Sequence, residues 1–189
     1  MKNVGTQPIT TDRLTLRRFT AADAPAAYAH WQSDPEVTKY LTWPAYTDPA
    51  AAAARMQWTA SQYTDPAFYQ WAIQLNDAEA TLVGNISVVE ANDAARWQAI
   101  GYVLGRAWWG RGYMPEALRA VIDYLFTNTD VNRIEATHDV QNPNSGKVMA
   151  KAGMHKEGIL RARGKNNTGI VDEAFYALLR DEWTKKAGR

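Results

Sequence analysis

Cysteine is absent from all 189 residues. That excludes a disulfide framework, a thiolate metal site and a cysteine nucleophile. It fits a reducing compartment, and a cytoplasmic location is expected. Excess charge is missing as well. The formal net charge is +1, so neither nucleic acid nor a membrane surface is an expected partner. Arg161, Arg163 and Lys165 form a short basic cluster that reads as solvated surface. No apolar run approaches the length of a membrane span, and the N terminus lacks an apolar signal core. There is no His-x-x-x-His pair and no comparable carboxylate–His cluster, so no metal is expected. No internal repeat or linker-like stretch divides the chain, which reads as one domain over residues 1–189.

Aromatics are what the chain does have, with eight Trp and nine Tyr. Several crowd into residues 40–71 and 97–113. Most read as core; Tyr40, Trp43, Tyr46 and Trp71 are candidate walls of a substrate pocket, since a broad aromatic surface suits a small, partly apolar ligand.

In chain order, Met1–Thr11 reads as a loose leader and Arg13–Phe19 as a first strand. A helix is expected over Ala21–Gln32, capped by Thr20 or Asp23, with Pro25 favouring the later start. Asp48–Pro49 opens a second helix, ending near Tyr63. Gln70–Leu75, Leu82–Val89 and Arg96–Leu104 alternate as strands, and their short connections predict an antiparallel meander. Pro115–Thr127 has its apolar residues at helical spacing. Arg133–His138 is a strand, and Asn142–Pro143 starts a helix that Gly153 stops after Ala152. His155–Arg163 and Ile170–Leu179 read as a final hairpin across the loop Gly164–Gly169. The class is α/β with a mixed sheet.

Trp108–Leu118 organises the rest. A strand enters it and a helix leaves it, with Gly110-Arg111-Gly112 at the join. Glycines permit positive φ and close backbone approach, and a helix N terminus gathers unpaired N–H groups into an anion site. A dinucleotide fingerprint needs a third glycine at position 115, which is Pro115. A phosphate loop needs a Gly-Lys-Ser/Thr triplet, which is missing. A pyrophosphate carried by another cofactor remains. Asn142 and Ser145 open the later helix after a strand end, the place where α/β sheets bind ligands. Of the histidines, His138 is best placed for chemistry; His30 and His155 read as structural or exposed.

The Trp109-Gly110-Arg111-Gly112-Tyr113-Met114 turn, Ile100-Gly101-Tyr102-Val103-Leu104, and Asn142-Pro143-Asn144-Ser145 running to Met154 carry a resemblance. In element order and in these motifs the chain resembles the GNAT superfamily of acetyl-CoA-dependent N-acetyltransferases. More narrowly, it is similar to the ribosomal-protein N-terminal alanine acetyltransferases, the RimJ/RimL-like group. The likeness spans about Thr10 to Trp183. It implies a mostly antiparallel sheet of about seven strands with about four helices and splayed central strands. It implies acetyl-CoA as co-substrate, with the pyrophosphate on Gly110, Arg111, Gly112, Tyr113 and Met114. Pantetheine would lie as a pseudo-strand against the backbone of Tyr102, Val103 and Leu104, near Asn142 and Ser145. Two departures stand out. Trp109 and Met114 replace the usual ends of the pyrophosphate motif. Ala99 stands where many relatives carry a glutamate base.

The chemistry needs a neutral amine, an acceptor for its proton, support for charge on the acyl oxygen, and a proton for the leaving thiolate. Ser145 is the candidate for the last role; His138 and Glu90 are candidates for the base. The expected acceptor is a protein or peptide N-terminal α-amine, such as that of a ribosomal protein. The alternatives are a small amine (amino acid, polyamine or antibiotic) or acyl-CoA binding without turnover. Monomer and homodimer both fit the sequence.

Overall fold

The protein is described by a computed structural model over residues 1–186. Its frame is one eight-stranded sheet in the order β1-β2-β3-β4-β5-β6-β8-β7. The strands are β1 (Ile9–Thr10), β2 (Leu14–Arg17), β3 (Gln70–Leu75), β4 (Leu82–Asn92), β5 (Trp97–Leu104), β6 (Arg133–Asp139), β7 (His155–Asn166) and β8 (Gly169–Leu179). Neighbours pair antiparallel except β5 and β6, which are parallel. The expected meander is therefore β3–β4–β5.

Alternation along the strands sends side chains to two cores. Trp71 and Ile73 of β3, Val83 of β4 and Leu104 of β5 pack beneath helix α4 (Tyr113–Asn128). Ala72, Leu82 and Val103, one residue out of step, pack on the opposite face with Phe19, Trp31 and Met56. That face is covered by α1 (Ala24–Ala27) and α3 (Pro49–Gln62). Helix α4 buries Ala117, Leu118, Val121, Ile122 and Leu125, the stripe its sequence predicts.

Several boundaries differ from expectation for physical reasons. The supposed leader is tied down and contributes β1: Gly5 N–H donates to Pro66 O at 2.8 Å, and Trp71 Nε1 donates to Gln7 O at 2.7 Å. The first helix is three pieces. A 3₁₀ turn at Ala21–Asp23 leads into α1, and Tyr28–Gln32 widens into a π turn closed by Ser33 N–H on Tyr28 O at 3.1 Å. Thr20 and Asp23 form a capping box at the 3₁₀ turn, whereas Asp23, which stands at the N-cap position of α1, makes no side-chain cap bond there. A short helix, α2 (Pro35–Thr38), follows, capped by Asp34. Helix α3 begins at Pro49 behind an Asp48 carboxylate that accepts from Ala50 N–H at 2.8 Å. Helix α4 starts at Tyr113, two residues before Pro115; proline is tolerated in a first turn because those N–H groups have no intrahelical partner. Helix α5 (Pro143–Ala152) ends at Gly153 with φ 98°, and α6 (Arg180–Lys186) extends the chain beyond the expected elements. The final hairpin is longer than read: Gly164 lies within β7 because a Cβ there would collide with the Glu173 carboxylate of β8. Only Asn167 and Thr168 form the turn.

Candidate active site

The pairing of β5 with β6 ends almost as it begins. Trp97, Gln98 and Ala99 face Arg133, Ile134 and Glu135. Beyond Ala99, β5 stays with β4 as far as Leu104, while β6 stays with β8. The strands part because β5 runs to the glycine turn and α4, whereas β6 runs to α5. Gly105 N–H bonds Val83 O on the β4 side at 2.8 Å, so alternation turns the main-chain groups of Tyr102 and Leu104 into the gap. A cavity of about 910 Å³ fills the gap and continues over the face opposite α4.

At the mouth of the gap, Gly110 and Gly112 have φ 76° and 81°. Gly112 is the N-cap of α4, and the first helical bond of that helix joins Glu116 N–H to Gly112 O. The N–H groups of Tyr113 and Met114 are thus the free ends of a 16-residue helix. Sequence reasoning missed what braces this turn. Arg13 Nη1 donates to Arg111 O at 3.0 Å, its guanidinium meets Glu116 at 2.6 Å, and it covers the Tyr113 ring. Burial opposes charge on Glu116, but hydrogen bonds from Thr11 and Arg13 outweigh it and hold its pKa below the usual value. The available signal was a basic residue opening a strand and an acid in the first turn of α4, about 100 positions apart in sequence.

The candidate cofactor contacts gather at the cavity: Tyr102, Val103, Leu104, Gly110, Gly112, Tyr113, Met114, Asn142 and Ser145 all line it. Arg111 does not; its side chain is exposed and its carbonyl turns back to Arg13. Trp109, in place of the usual motif residue, donates Nε1–H to Leu104 O at 2.7 Å. That leaves Leu104 its N–H for a ligand but occupies its carbonyl. Asn142 stands at the N-cap of α5 without a side-chain cap bond. Tyr102 spans the gap, its hydroxyl 2.8 Å from Ser145 Oγ and 3.0 Å from Ser145 O. Burial drives the Tyr102 pKa upward despite the serine contact, so the phenol keeps its proton.

The candidate bases separate. His138 lines the cavity, but its Nδ1–H is bonded to Asp139 O at 2.7 Å. Its Nε2 is buried without a partner, so near α5 that a Cβ on Gly146 would lie 2.6 Å away. Glu90 faces Ala99 in the β4–β5 register, next to a bulge, yet it is exposed and outside the cavity lining. On the other side of Ala99, Glu135 is held by Arg133 at 2.7 Å. Among the aromatic candidates, Tyr40 and Trp43 line the cavity. Tyr46 is one layer behind, its ring 5.6 Å from that of Trp43. Trp71 is not a pocket wall: it is 0 % exposed, on the α4 face of the sheet. Behind the wall is a residue that sequence did not single out. Asn167, at the tip of the β7–β8 hairpin next to the cavity-lining Asn166, donates from Nδ2 to Thr38 O at 2.9 Å and Trp43 O at 2.8 Å. No cluster of three or more His, Asp or Glu side chains among the described residues could hold a metal ion.

A split between parallel strands, with main-chain groups on its wall and a helix N terminus at its mouth, suits an extended ligand that carries a pyrophosphate. The class this defines is the coenzyme A-dependent acyltransferases. Comparison with family models agrees: residues 13–155 match the Acetyltransferase (GNAT) domain, and the chain belongs to that family. It is 34% identical over 175 residues to the uncharacterized N-acetyltransferase p20 of Bacillus licheniformis, covering 92% of this chain and 96% of that one. It is 29% identical over 189 residues to the [ribosomal protein uS5]-alanine N-acetyltransferase of Escherichia coli, covering 96% and 95%. The crystal structure of a GNAT-family acetyltransferase from Bacillus anthracis superposes with a TM-score of 0.81 at 27% identity, over 93% of this chain and 100% of that one. The protein is an N-acetyltransferase.

Proposed function

We propose that the acceptor is the α-amine of a peptide or protein N terminus and that acetyl passes to it directly, with both substrates bound. The observation that carries this is Ala99. The sheet position where relatives often hold a glutamate carries only a methyl group, the flanking Glu135 is engaged with Arg133, and Glu90 is out on the rim. Nothing there takes a proton from a strongly basic amine. An α-amine, with a pKa of about 8 against about 10.4 for lysine, supplies its neutral form with little help. The likeness to a ribosomal-protein alanine acetyltransferase supports the same reading.

In this reading Tyr113, Met114 and the glycine backbone receive the pyrophosphate. Tyr102 and Leu104 hold the pantetheine through main-chain groups. Ser145 protonates the departing thiolate as the C–S bond breaks, and the proton that the attacking nitrogen loses on forming the amide is returned to the serine through solvent. Tyr102 fixes the Ser145 hydroxyl and, keeping its own proton, adds no negative charge beside it. The bond from His138 Nδ1–H to Asp139 O orients the ring and leaves Nε2 as its unpaired acceptor among the described residues.

Release of free CoA thiol from acetyl-CoA tests this. Short alanyl or seryl peptides with free N termini are expected to turn over at least about tenfold better in kcat/KM than the same peptides blocked at the N terminus and carrying a lysine, in line with the pKa gap. The rate is expected to follow a single ionisation near about pH 8. Equal use of the lysine amine would sink the α-amine assignment.

A further inference from the structure

On the face of the sheet opposite α4, the floor of the cavity is polar and unpaired. Gln70 of β3 is only 4 % exposed, yet it lines the cavity. Its main-chain N–H and C=O are engaged by Thr6 and Tyr63, while its side-chain amide has no partner among the described residues. Ser87 lies directly opposite Gln70 in the β3–β4 register, and Asn85 lies two positions along, opposite Ala72. Both line the cavity, and their side chains are also without protein partners among the described residues. These polar atoms open onto the cavity instead of being sealed in the core, so the row of two amides and a hydroxyl is free to bond a ligand lying across it.

The chemistry of the row selects the ligand. Two carboxamides and a hydroxyl donate and accept without net charge. They match a peptide group, which does the same. They offer no counter-ion to a free carboxylate. A polyamine, which only donates, would leave the acceptor–donor pairing incomplete. Position agrees. Ser87 and Asn85 oppose Gly101 and Val103 of β5, where the gap opens. Strands lie about 4.8 Å apart and successive Cα atoms about 3.8 Å apart. An acceptor whose amine reaches β5 therefore places its first peptide group over β4 and its second near Gln70 on β3.

We propose that Gln70, Asn85 and Ser87 form the subsite for the first peptide groups of the acceptor, making the enzyme selective for α-amines that carry a neutral amide. This rests on the reading of the acceptor as a peptidyl α-amine. The test compares alaninamide, alanyl-alaninamide, free alanine, isopropylamine and spermidine, by thiol release and, separately, by calorimetric binding to the CoA-loaded protein. The two amides are expected to bind, and to have kcat/KM on the order of tenfold or more above the other three, the scale set by hydrogen bonds to buried polar groups. Gln70→Leu and Ser87→Ala should remove that preference while leaving CoA affinity and turnover of isopropylamine within about twofold; near-isosteric substitution leaves only the hydrogen-bonding term to change. Wild-type binding that does not discriminate the amides, or variants that lose all five ligands equally with normal CoA affinity and melting temperature, would overturn the subsite. Amide-selective binding with no thiol release from any amine would retain the subsite and overturn the transferase reading instead.

Discussion

Arg13 shows how much of the cofactor cradle depends on a side chain outside it. The guanidinium bonds Arg111 O, pairs with Glu116 and covers Tyr113. Arg13→Ala is expected to raise the KM for acetyl-CoA several-fold, roughly 3- to 10-fold, with kcat little changed, the pattern of lost uniform binding. Steady-state kinetics at saturating peptide would show it. Gly112→Ala should do more. At φ 81° a Cβ is strained whatever the space around it, by about 1–2 kcal/mol, and CoA affinity should fall with stability. Inside the gap, Ser145→Ala and Tyr102→Phe are both expected to lower kcat without weakening CoA binding; the tyrosine variant should lose less, because it acts through the serine. Glu90→Gln should leave the pH–rate profile in place, since the carboxylate is on the rim. At this scale the glycines, Asn142 and Ser145 were legible, because each carries a backbone or hydroxyl signature at a helix start. The partner of Ser145 was not. Tyr102 is 43 positions away, and no local pattern announces contact across a gap. Trp71 misled because both faces of β3 are buried; alternation told which residues share a face but not which face holds the cavity.

At the scale of elements, the Asn167 contacts tie the hairpin tip, whose Lys165 and Asn166 line the cavity, to the Thr38–Trp43 segment on the proposed acceptor side. Asn167→Ala removes both side-chain bonds to the Thr38–Trp43 segment, at a cost of about 1–2 kcal/mol of local stability. Amide hydrogen exchange is expected to rise at residues 38–43 and 166–169, and the KM for peptide to rise, while CoA affinity holds. Equal protection in the two proteins would remove the hairpin from the acceptor wall. The elements that were readable in advance carry chemical stops: Asp48-Pro49, Asn142-Pro143 and Gly153. The hairpin was read too short because Gly164 looked like a turn residue, whereas it is a strand residue kept small by Glu173. The π turn at Tyr28–Gln32 has no sequence signature of its own.

The whole molecule has a stability window with two chemically distinct edges. Asp23, Glu116 and Glu157 have lowered pKa values. For Asp23 and Glu116 burial works against the charge and the bonds from Arg17 and Thr20, or from Thr11 and Arg13, prevail; for Glu157 the Arg133 pair leads. A depressed carboxylate contributes stability above its unfolded pKa of about 4, and that contribution is lost as pH falls through the lower folded value. Tyr63 and Tyr124 are raised by burial to about 12. They contribute fully below the unfolded value of about 10, and the contribution is lost between about 10 and 12. The melting temperature is expected to be flat from about pH 5 to 9 and to drop on both sides. Tyr63→Phe should flatten the alkaline edge and cost some stability at neutral pH through the bonds to Phe19 and Gln70.

The sheet order has one more consequence. Strand β8, which follows β6 and β7 in the chain, inserts between them, so β6 has no antiparallel neighbour and β7 no neighbour at all until β8 is present. On a translating ribosome the polypeptide would carry both exposed edges until Leu179 had left the exit tunnel. Nascent chains that end before Gly169 are therefore expected to be protease-sensitive and unable to hold an acceptor, even with the glycine turn and α4 already made.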